Sequence, residues 1–395
     1  MSGSATLVRA ARVLTADGAA VIEDSALLLR DGRIERVERG IGQLPSNGDI
    51  DVVDLGDVTL LPGLMDAHVH LAFDATGDVV GPMLGLDDAA LHALMHDNAQ
   101  RYLDVGVTTV RDLGDRRFGS LALREQYRRA PSSGPEMLAA GPPLTRTQGH
   151  CWFLGGEADT ADELRAAVAE RAARGCDVVK VMATGGVITP GFLPHESQYD
   201  QAQLRAVVDA ARERGLPTAA HAHGADGIRD SVAAGVHSVE HCTFFDETSV
   251  RPDWDVVRTM VDKGIFVTTT GAVLPGLEPP PMIAARIEQF RINVQRMRSM
   301  GARVVCTSDA GVGPSKPHGV LPHGVVEAAR IGFSNAEALA TVTSVAAALC
   351  GMTGRKGALA PGHDADLLAV HGDPLTDIAD VQRVAAVFRA GVRVR

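Results

Sequence analysis

The sequence predicts an α/β protein built on a closed (β/α)8 TIM barrel, with a small composite β-sandwich domain built from both chain ends. Between residues 60 and 357 of the 395-residue chain, short apolar segments alternate with helical stretches, the pattern of a parallel barrel. Strand-like segments precede this region, and others follow it to the C-terminus. Neither terminal piece is long enough to bury a core of its own, so we expect one composite domain.

The N-terminal part of that domain covers residues 1–59. Its predicted strands are 5–10, 26–30, 33–37 and 52–55. The dipeptide Asp31-Gly32 stands between two of them and is a strong signal for a β-hairpin. Residues 358–395 begin with a turn rich in Gly and Pro and continue as short strands, which are expected to complete the domain.

The barrel is assigned to residues 60–357. Its predicted strands are 60–70, 107–113, 136–140, 178–183, 218–223, 238–242, 266–270 and 304–309, and clear helical stretches are 87–105, 160–174, 201–214 and 281–300. Gly175 and Gly215 follow two of these helices, as expected for helix C-caps. A doubly wound open sheet is the alternative, but eight repeats of the unit favour a barrel.

Composition excludes several classes of partner. The formal net charge is −11 and no basic run occurs, which argues against nucleic-acid binding. Residues 1–14 lack the apolar segment of a signal peptide, and no apolar run approaches the length that spans a bilayer. The five cysteines are scattered, without a C-x-x-C pair, which indicates reduced thiols. We therefore expect a cytoplasmic protein with a small-molecule substrate, and a homo-oligomer.

Two histidines mark the end of the first barrel strand. His68 and His70 are two residues apart, and residues i and i+2 of a strand point to the same face. Both imidazoles are therefore expected to reach one point in space, as two ligands of a single metal ion would. On its own, an H-x-H pair is about as well explained by ordinary polar residues at a strand end.

Other predicted strands carry metal-capable groups at the same end of the barrel, where active sites of such folds lie. These residues are Lys180, His221, His223, His241 and Asp309. Individually each has a simpler explanation: a salt-bridged lysine, a structural histidine, a helix-capping aspartate. Together with the first strand, five strand ends carry such groups. A metal site explains this better than five separate coincidences. Imidazole and carboxylate ligands suit Zn²⁺.

The chain resembles the amidohydrolase superfamily, specifically its prolidase, imidazolonepropionase and ochratoxinase-like branch. Nearly the whole chain is covered by the resemblance. The motifs that carry it are Pro-Gly-Leu-Met-Asp-Ala-His-Val-His (62–70), Thr-Val-Arg-Asp-Leu-Gly (109–114), Gly149-His150, Lys-Val-Met-Ala-Thr-Gly-Gly (180–186), His-Ala-His-Gly (221–224), Glu240-His241, Ser308-Asp309 and Gly-x-Leu-x-Pro-Gly-x-x-Ala-Asp-Leu (357–367).

This resemblance implies a binuclear metal centre with two zinc ions per chain. One ion would be held by His68, His70 and Asp309, and the other by His221 and His241. Carboxylated Lys180 would bridge the two ions as a carbamate. A hydroxide shared by the metals would attack the substrate, and Asp309 would pass its proton to the leaving nitrogen.

The resemblance also implies substrate-binding roles, and secondary catalytic roles, for His150 and His223. The simpler alternative for each is a residue that hydrogen-bonds within a loop or behind the ligands. Arg146 and Tyr199, together with His195 and His318, lie in loops on the same face and are candidates for setting specificity. A solvated loop residue is at least as good an explanation for these four.

The expected function is hydrolysis of an amide C–N bond by a metal-dependent, prolidase-like enzyme. A dipeptide or an N-acyl amino acid with a free carboxylate is the expected substrate. Hydrolysis of a cyclic amide, a urea or a carbamate, or deamination, remains the alternative, because substrate choice resides in loops. A metal-free scaffold is a further alternative, which the presence of all six expected ligands disfavours.

Overall fold

A computed structural model describes residues 5–15, 18–39, 50–277 and 279–395. The strands in these ranges are β1 (Ala5–Leu14), β2 (Val21–Arg30), β3 (Arg33–Arg39), β4 (Ile50–Asp54), β5 (Val58–Pro62), β6 (Leu64–Val69), β7 (Val107–Asp112), β8 (Glu136–Ala139), β9 (Val179–Met182), β10 (Thr218–Gly224), β11 (Ser238–Phe245), β12 (Phe266–Thr269), β13 (Arg303–Cys306), β14 (Leu367–His371), β15 (Val384–Arg389) and β16 (Val392–Arg393).

The helices alternate with the strands from β6 to β13. They are α1 (Val80–Gly85), α2 (Asp88–Asp104), α3 (Gly119–Arg129), α4 (Ala161–Arg174), α5 (Gln201–Arg212), α6 (Ala225–Ala234), α7 (Trp254–Lys263), α8 (Pro281–Ala284), α9 (Ile287–Ser299), α10 (Leu321–Arg330), α11 (Asn335–Thr341) and α12 (Ser344–Leu349). Thr160 and Asp200 begin α4 and α5 with reciprocal capping boxes, which satisfy free N–H groups of the first turn. Gly175 ends α4 at a φ of 80°, as its expected role as a C-cap requires.

The alternating region forms parallel sheets, as predicted. One sheet has the order β6-β7-β8, and the other has the order β13-β12-β11-β10-β9. Two isolated parallel bridges join their edges: Val69 pairs with Ala310 and Leu144 pairs with Val181. Every predicted barrel strand has a counterpart in these sheets. Their carboxyl ends therefore lie on one side, where parallel strands usually present an active site.

Two predicted elements are divided in the structure. The predicted strand 60–70 was wrong as a single element, because β5 joins the mixed terminal sheet and β6 begins the parallel one. The strand is interrupted at Gly63. A Cβ there would lie 2.2 Å from Oγ1 of Thr108, so the close approach of β7 requires glycine. The predicted helix 281–300 is likewise two helices, α8 and α9.

Strands from both chain ends pair in one mixed sheet with the order β16-β15-β14-β5-β1-β2-β3, and β4 also pairs with β1. β5 connects the strands of the two chain ends, because it pairs in parallel with β1 and antiparallel with β14. The predicted hairpin is confirmed: Arg30 pairs with Arg33, and the turn residues Asp31 and Gly32 have φ values of 50° and 75°. Such positive values suit the tight turn of a two-residue hairpin.

A buried ion cluster ties this mixed sheet to the parallel one. Glu136, at the start of β8, lies 3.0 Å from Nζ of Lys356 and also pairs with Arg355. Asp366 pairs with Lys356 and lies 3.0 Å from Nη1 of Arg389 in β15. Burial opposes ionisation of Glu136, but hydrogen bonding to Arg355 and the charge of Lys356 outweigh it and lower its pKa to about 2.

Glu136→Gln is therefore expected to lower the free energy of unfolding by about 3 kcal/mol at pH 7, because the partner cations lose a half-buried carboxylate. A carboxyl with a depressed folded-state pKa stabilises the protein above its unfolded pKa. The difference between wild type and variant should thus shrink as pH falls from 4.5 towards about 2. Urea unfolding across this range measures it.

Asp57→Asn is the matched control, because Asp57 pairs with Arg12 at a side chain that is 86% exposed. Such an exposed pair contributes less than about 1 kcal/mol. Equal effects of the two substitutions, or a Glu136→Gln effect that does not change with pH, would contradict a stabilising role of the cluster.

No helix in the described ranges is both long and apolar enough to cross a membrane. All five cysteines are free thiols, in agreement with the absence of a predicted disulfide framework.

Candidate metal centre

The predicted ligands meet at the carboxyl ends of the parallel strands. His68 lies near the end of β6 and His70 directly follows it, whereas Lys180 lies within β9. His221 and His223 belong to β10 and His241 belongs to β11. Asp309 follows β13 after a short extension of the chain. All of these side chains are largely buried, so their proximity results from packing rather than from mobile surface loops.

One three-residue group consists of His68, His70 and Asp309, whose candidate ligand atoms lie within 4.8 Å of one another. Oδ1 of Asp309 is 3.3 Å from Nε2 of His70 and 3.5 Å from Nε2 of His68. The sequence predicted this group as one metal site, and the structure brings all three residues together.

A second group consists of His221, His223 and His241, again within 4.8 Å. Nε2 of His241 is 2.9 Å from Nδ1 of His221. The ring of His223 stacks on His241 at a centroid distance of 4.3 Å. The sequence interpretation assigned His223 to the substrate rather than to this group. The structure places its ring among the predicted ligands, with Nδ1 3.0 Å from Oγ1 of Thr243.

Lys180 contacts the first group. Its Nζ lies 3.4 Å from Nε2 of His68, and its side chain is fully buried. Burial lowers the pKa of Lys180 to about 8. The neutral fraction of this amine at neutral pH is therefore larger than for an exposed lysine, and only a neutral amine can react with CO2.

The protonation states of the cluster suit a divalent cation. Burial lowers the pKa of His68 to about 4 and that of His223 to about 3. Burial also holds the pKa values of His221 and His241 well below the usual range. These imidazoles are therefore neutral at pH 7 and have a free lone pair. With one carboxylate they form the nitrogen and oxygen donor set that Zn²⁺ binds.

Asp309 supplies the negative charge of the candidate ligand set. Burial opposes ionisation of this carboxyl, but the charge of Lys316 and a hydrogen bond with His70 hold its pKa well below the usual range. Asp309 also has a φ of 55° and His241 one of 67°. Left-handed backbone is costly for such residues and is concentrated at functional sites.

Residues behind the cluster orient its rings. Nδ1 of His68 lies 2.9 Å from Oε2 of the fully buried Glu240. Glu240 accepts hydrogen bonds from Arg111 at 3.0 Å and from Thr268 at 2.7 Å. A carboxylate against Nδ1 favours the proton there, so the Nε2 lone pair faces the other ligands. The sequence included Glu240 in a motif without assigning this role.

Sequence reasoning missed Lys316. This buried ammonium donates hydrogen bonds to the carbonyls of Thr270 at 2.6 Å and Ser308 at 2.9 Å. It lies 3.8 Å from Oδ2 of Asp309. Lys316 stands in a loop with no periodic pattern, so no sequence signal distinguished it from a solvated lysine.

The cluster opens into a cavity of about 640 Å³. His150 lines it, with its ring 4.7 Å from that of His221 and a buried Nδ1 that has no partner among the described residues. His223 lines it as well. Arg146 is exposed, and Tyr199 is buried and donates to the carbonyl of Ala158; neither lines this cavity.

The other two loop histidines have different surroundings. His195 is half-buried. His318 is buried away from solvent, with Nε2 2.8 Å from the carbonyl oxygen of Phe73 and Nδ1 3.1 Å from the hydroxyl of Tyr102. Both ring nitrogens of His318 therefore have protein partners, which favours a structural role for this residue.

A parallel α/β fold with this donor set at the strand ends defines a candidate metal-dependent enzyme. Comparison with known proteins gives the family. The amidohydrolase family matches residues 59–394, so the chain belongs to that family, as the sequence motifs predicted. Ochratoxinase of Aspergillus niger is 27% identical over 366 residues, covering 83% of this chain and 73% of that protein. Imidazolonepropionase of Acidiphilium cryptum is 25% identical over 91% of this chain and 90% of that protein.

Solved structures agree with this assignment. A Xaa-Pro dipeptidase with methionine bound in its active site superposes with a TM-score of 0.87 at 28% identity, covering 99% of both chains. A prolidase complexed with N-methylphosphonate-L-proline superposes with a TM-score of 0.85 at 26% identity, also over 99% of both chains. The family and these neighbours support a hydrolase.

Proposed function

We propose that this protein is a metal-dependent hydrolase that cleaves the amide C–N bond of a dipeptide or an N-acyl amino acid. The observation that carries the proposal is that two three-residue ligand groups lie at one cavity, with Lys180 in contact with His68 of the first group. The prolidase and dipeptidase neighbours support a substrate of this size.

We further propose that residues 60–357 form a closed (β/α)8 barrel and that residues 1–59 and 358–395 form one composite β-sandwich domain. The two bridges that join the parallel sheets support closure. The pairing of β5 with strands from both chain ends supports the composite domain.

The proposed metal ligands come from the two groups, with His223 kept as a substrate-binding residue. His68, His70 and Asp309 would hold one Zn²⁺, and His221 and His241 would hold the second. Carboxylated Lys180 would contribute an oxygen to both. When bound, two such ions lower the pKa of water and polarise a carbonyl group.

The chain's own residues perform the remaining chemistry. Asp309, ionised at neutral pH, takes a proton from the attacking water and donates it to the leaving nitrogen. Lys316 holds this carboxylate in place through its contact with Oδ2. His150 and His223 border the same space and orient the substrate carbonyl.

Hydrolysis of a library of dipeptides, N-acyl amino acids, aryl amides, cyclic amides, ureas and carbamates by zinc-loaded protein tests the proposal. We expect release of a free amine from at least one of the first two classes. Turnover confined to cyclic amides, ureas or carbamates, or release of ammonia alone, would contradict the proposed substrate class.

We expect zinc-loaded protein to contain about two ions per chain, because the cluster provides two groups of ligands. Elemental analysis after gel filtration measures the stoichiometry, and the melting temperature should rise on loading. His221→Ala should lose one ion, whereas His371→Ala, at an exposed position, should retain both. A wild-type protein that binds no zinc would refute the proposed centre.

A further inference from the structure

Among the residues that the structure describes, one cation of the cavity wall outside the proposed metal centre lacks an acidic partner. Four cationic side chains line it: Lys180, Arg286, Arg291 and Lys316. Arg291 lies 2.6 Å from Glu327, and Lys316 faces Asp309. Lys180 belongs to the proposed metal centre. Arg286 is thus the remaining cation, and it has no acidic partner in the part of the chain that the structure describes.

The guanidinium of Arg286 is nonetheless held in a defined position. Nη1 donates to the carbonyl of Met282 at 3.0 Å, and Nη2 donates to the carbonyl of Glu247 at 3.2 Å. Its carbon atom lies 5.5 Å from the centroid of the Phe245 ring. Each η nitrogen still has a second hydrogen to donate. A fixed guanidinium with spare donors on both η nitrogens suits a carboxylate, which can accept from both.

A continuous stack of rings connects Arg286 to the metal centre. Phe245 stacks on His223 with centroids 5.6 Å apart, and His223 stacks on His241 at 4.3 Å. Arg286 therefore lies two rings away from a predicted metal ligand, along the wall of the same cavity. The cluster and Arg286 thus border the same space that a ligand would occupy.

The wall around Arg286 is apolar. Ile283, Ile287 and Phe290 of α8 and α9 line it on one side, and Val187 and Ile188 line the cavity from the loop after β9. Val187 is 41% exposed although it is a large hydrophobic residue. Burying this surface favours a ligand with an apolar body.

We propose that Arg286 is a specificity-determining residue that binds a free carboxylate of the substrate, and that the apolar wall receives a bulky acyl or side-chain group. The substrate class is then an N-acyl amino acid or dipeptide with an apolar body and an unblocked carboxyl end. This inference rests on the proposed function, because it describes the same cavity.

N-benzoylglycine and N-benzoylglycinamide provide a test, because they differ only in the charged group. Binding of each to zinc-loaded Asp309→Asn protein is measured by calorimetry, so that turnover does not interfere. Arg286→Ala and Arg286→Lys are compared in that background with Arg258→Ala. Arg258 also carries one positive charge, but it pairs with Asp255 on the exposed side of α7.

Arg286→Ala should weaken binding of N-benzoylglycine by about 30- to 100-fold, the effect typical of removing one partner of a charged hydrogen-bonded pair. Binding of the carboxamide should change by less than about 3-fold, because a neutral amide gains little from the guanidinium. Arg286→Lys should be intermediate, since an ammonium retains charge but not the paired donors. Arg258→Ala should behave as the unsubstituted background.

Steady-state kinetics with the library compounds that the enzyme hydrolyses provide the second readout. Arg286→Ala should raise KM for carboxylate substrates with little change in kcat, as expected for a contact present in both ground and transition states. Equal losses for carboxylate and carboxamide ligands, or no loss for either, would overturn the assignment.

Failure of the proposed function has a different signature. If no amide is hydrolysed but Arg286→Ala still weakens binding of N-benzoylglycine selectively, the anion site stands and the hydrolase proposal falls. If amides are hydrolysed without any preference between free and blocked carboxyl ends, the hydrolase stands and the role of Arg286 falls.

Discussion

Asp309→Asn is expected to lower kcat by about 10²–10⁴-fold, the usual effect of losing a general base. Asn preserves the size of the side chain and one oxygen, but it cannot accept the proton. Four histidines and the proposed carbamate remain as ligands, so the variant should retain much of its zinc, particularly at His221 and His241. Loss of rate with retained metal would separate proton transfer from metal binding.

The pH profile provides an independent readout for Asp309. In the wild type, kcat/KM should fall at acid pH as essential groups become protonated. The acid limb should change in Asp309→Asn, because one group that must be ionised is absent. Steady-state kinetics across pH, with zinc analysis of each sample, measure both effects.

Asp162→Asn is the matched control for this experiment, since its carboxylate is 95% exposed. It should leave kcat, metal content and profile unchanged. If Asp309→Asn retained near-normal kcat with an unaltered acid limb, Asp309 would not be the proton shuttle. His150 and His223 would then be the next candidates for the same substitution.

Lys180→Ala is expected to remove zinc and activity together, with a loss in kcat/KM of more than about 10²-fold, the upper end of what outer-shell substitutions cost. Lys180 reaches the cluster from the interior of β9, and its Nζ is 3.4 Å from Nε2 of His68. Because Ala cannot form a carbamate, the oxygen shared by both proposed ions would be lost.

Small carboxylic acids should restore part of the activity of Lys180→Ala by occupying the vacated space with an oxygen donor. Formate, acetate and propionate provide a size series for this rescue, which a purely structural lysine would not show. Lys263→Ala, at an exposed residue near the end of α7, is the control. A fully metallated and active Lys180→Ala protein would disprove the bridging role.

The sequence by itself determined the alternation of strands and helices and, through its motifs, the protein family. Histidines at i and i+2 of a strand share a face whatever surrounds them, so the pairing of His68 with His70 followed from spacing alone. Similarly, Asp31-Gly32 specified its hairpin because few dipeptides tolerate two positive φ angles. Local rules of this kind operate over a few residues and can be derived without a fold.

The tertiary structure decided what depends on residues far apart in the chain. The requirement for glycine at residue 63, between β5 and β6, depends on Thr108 of the neighbouring strand. The position of His223 among the predicted ligands depends on its stacking against His241. Lys316 belongs to a loop without a periodic pattern, and Arg286 belongs to a stretch that was predicted as helix without a site role. Only packing revealed that both line the cavity. Long-range burial sets these positions and pKa values, and no local pattern encodes it.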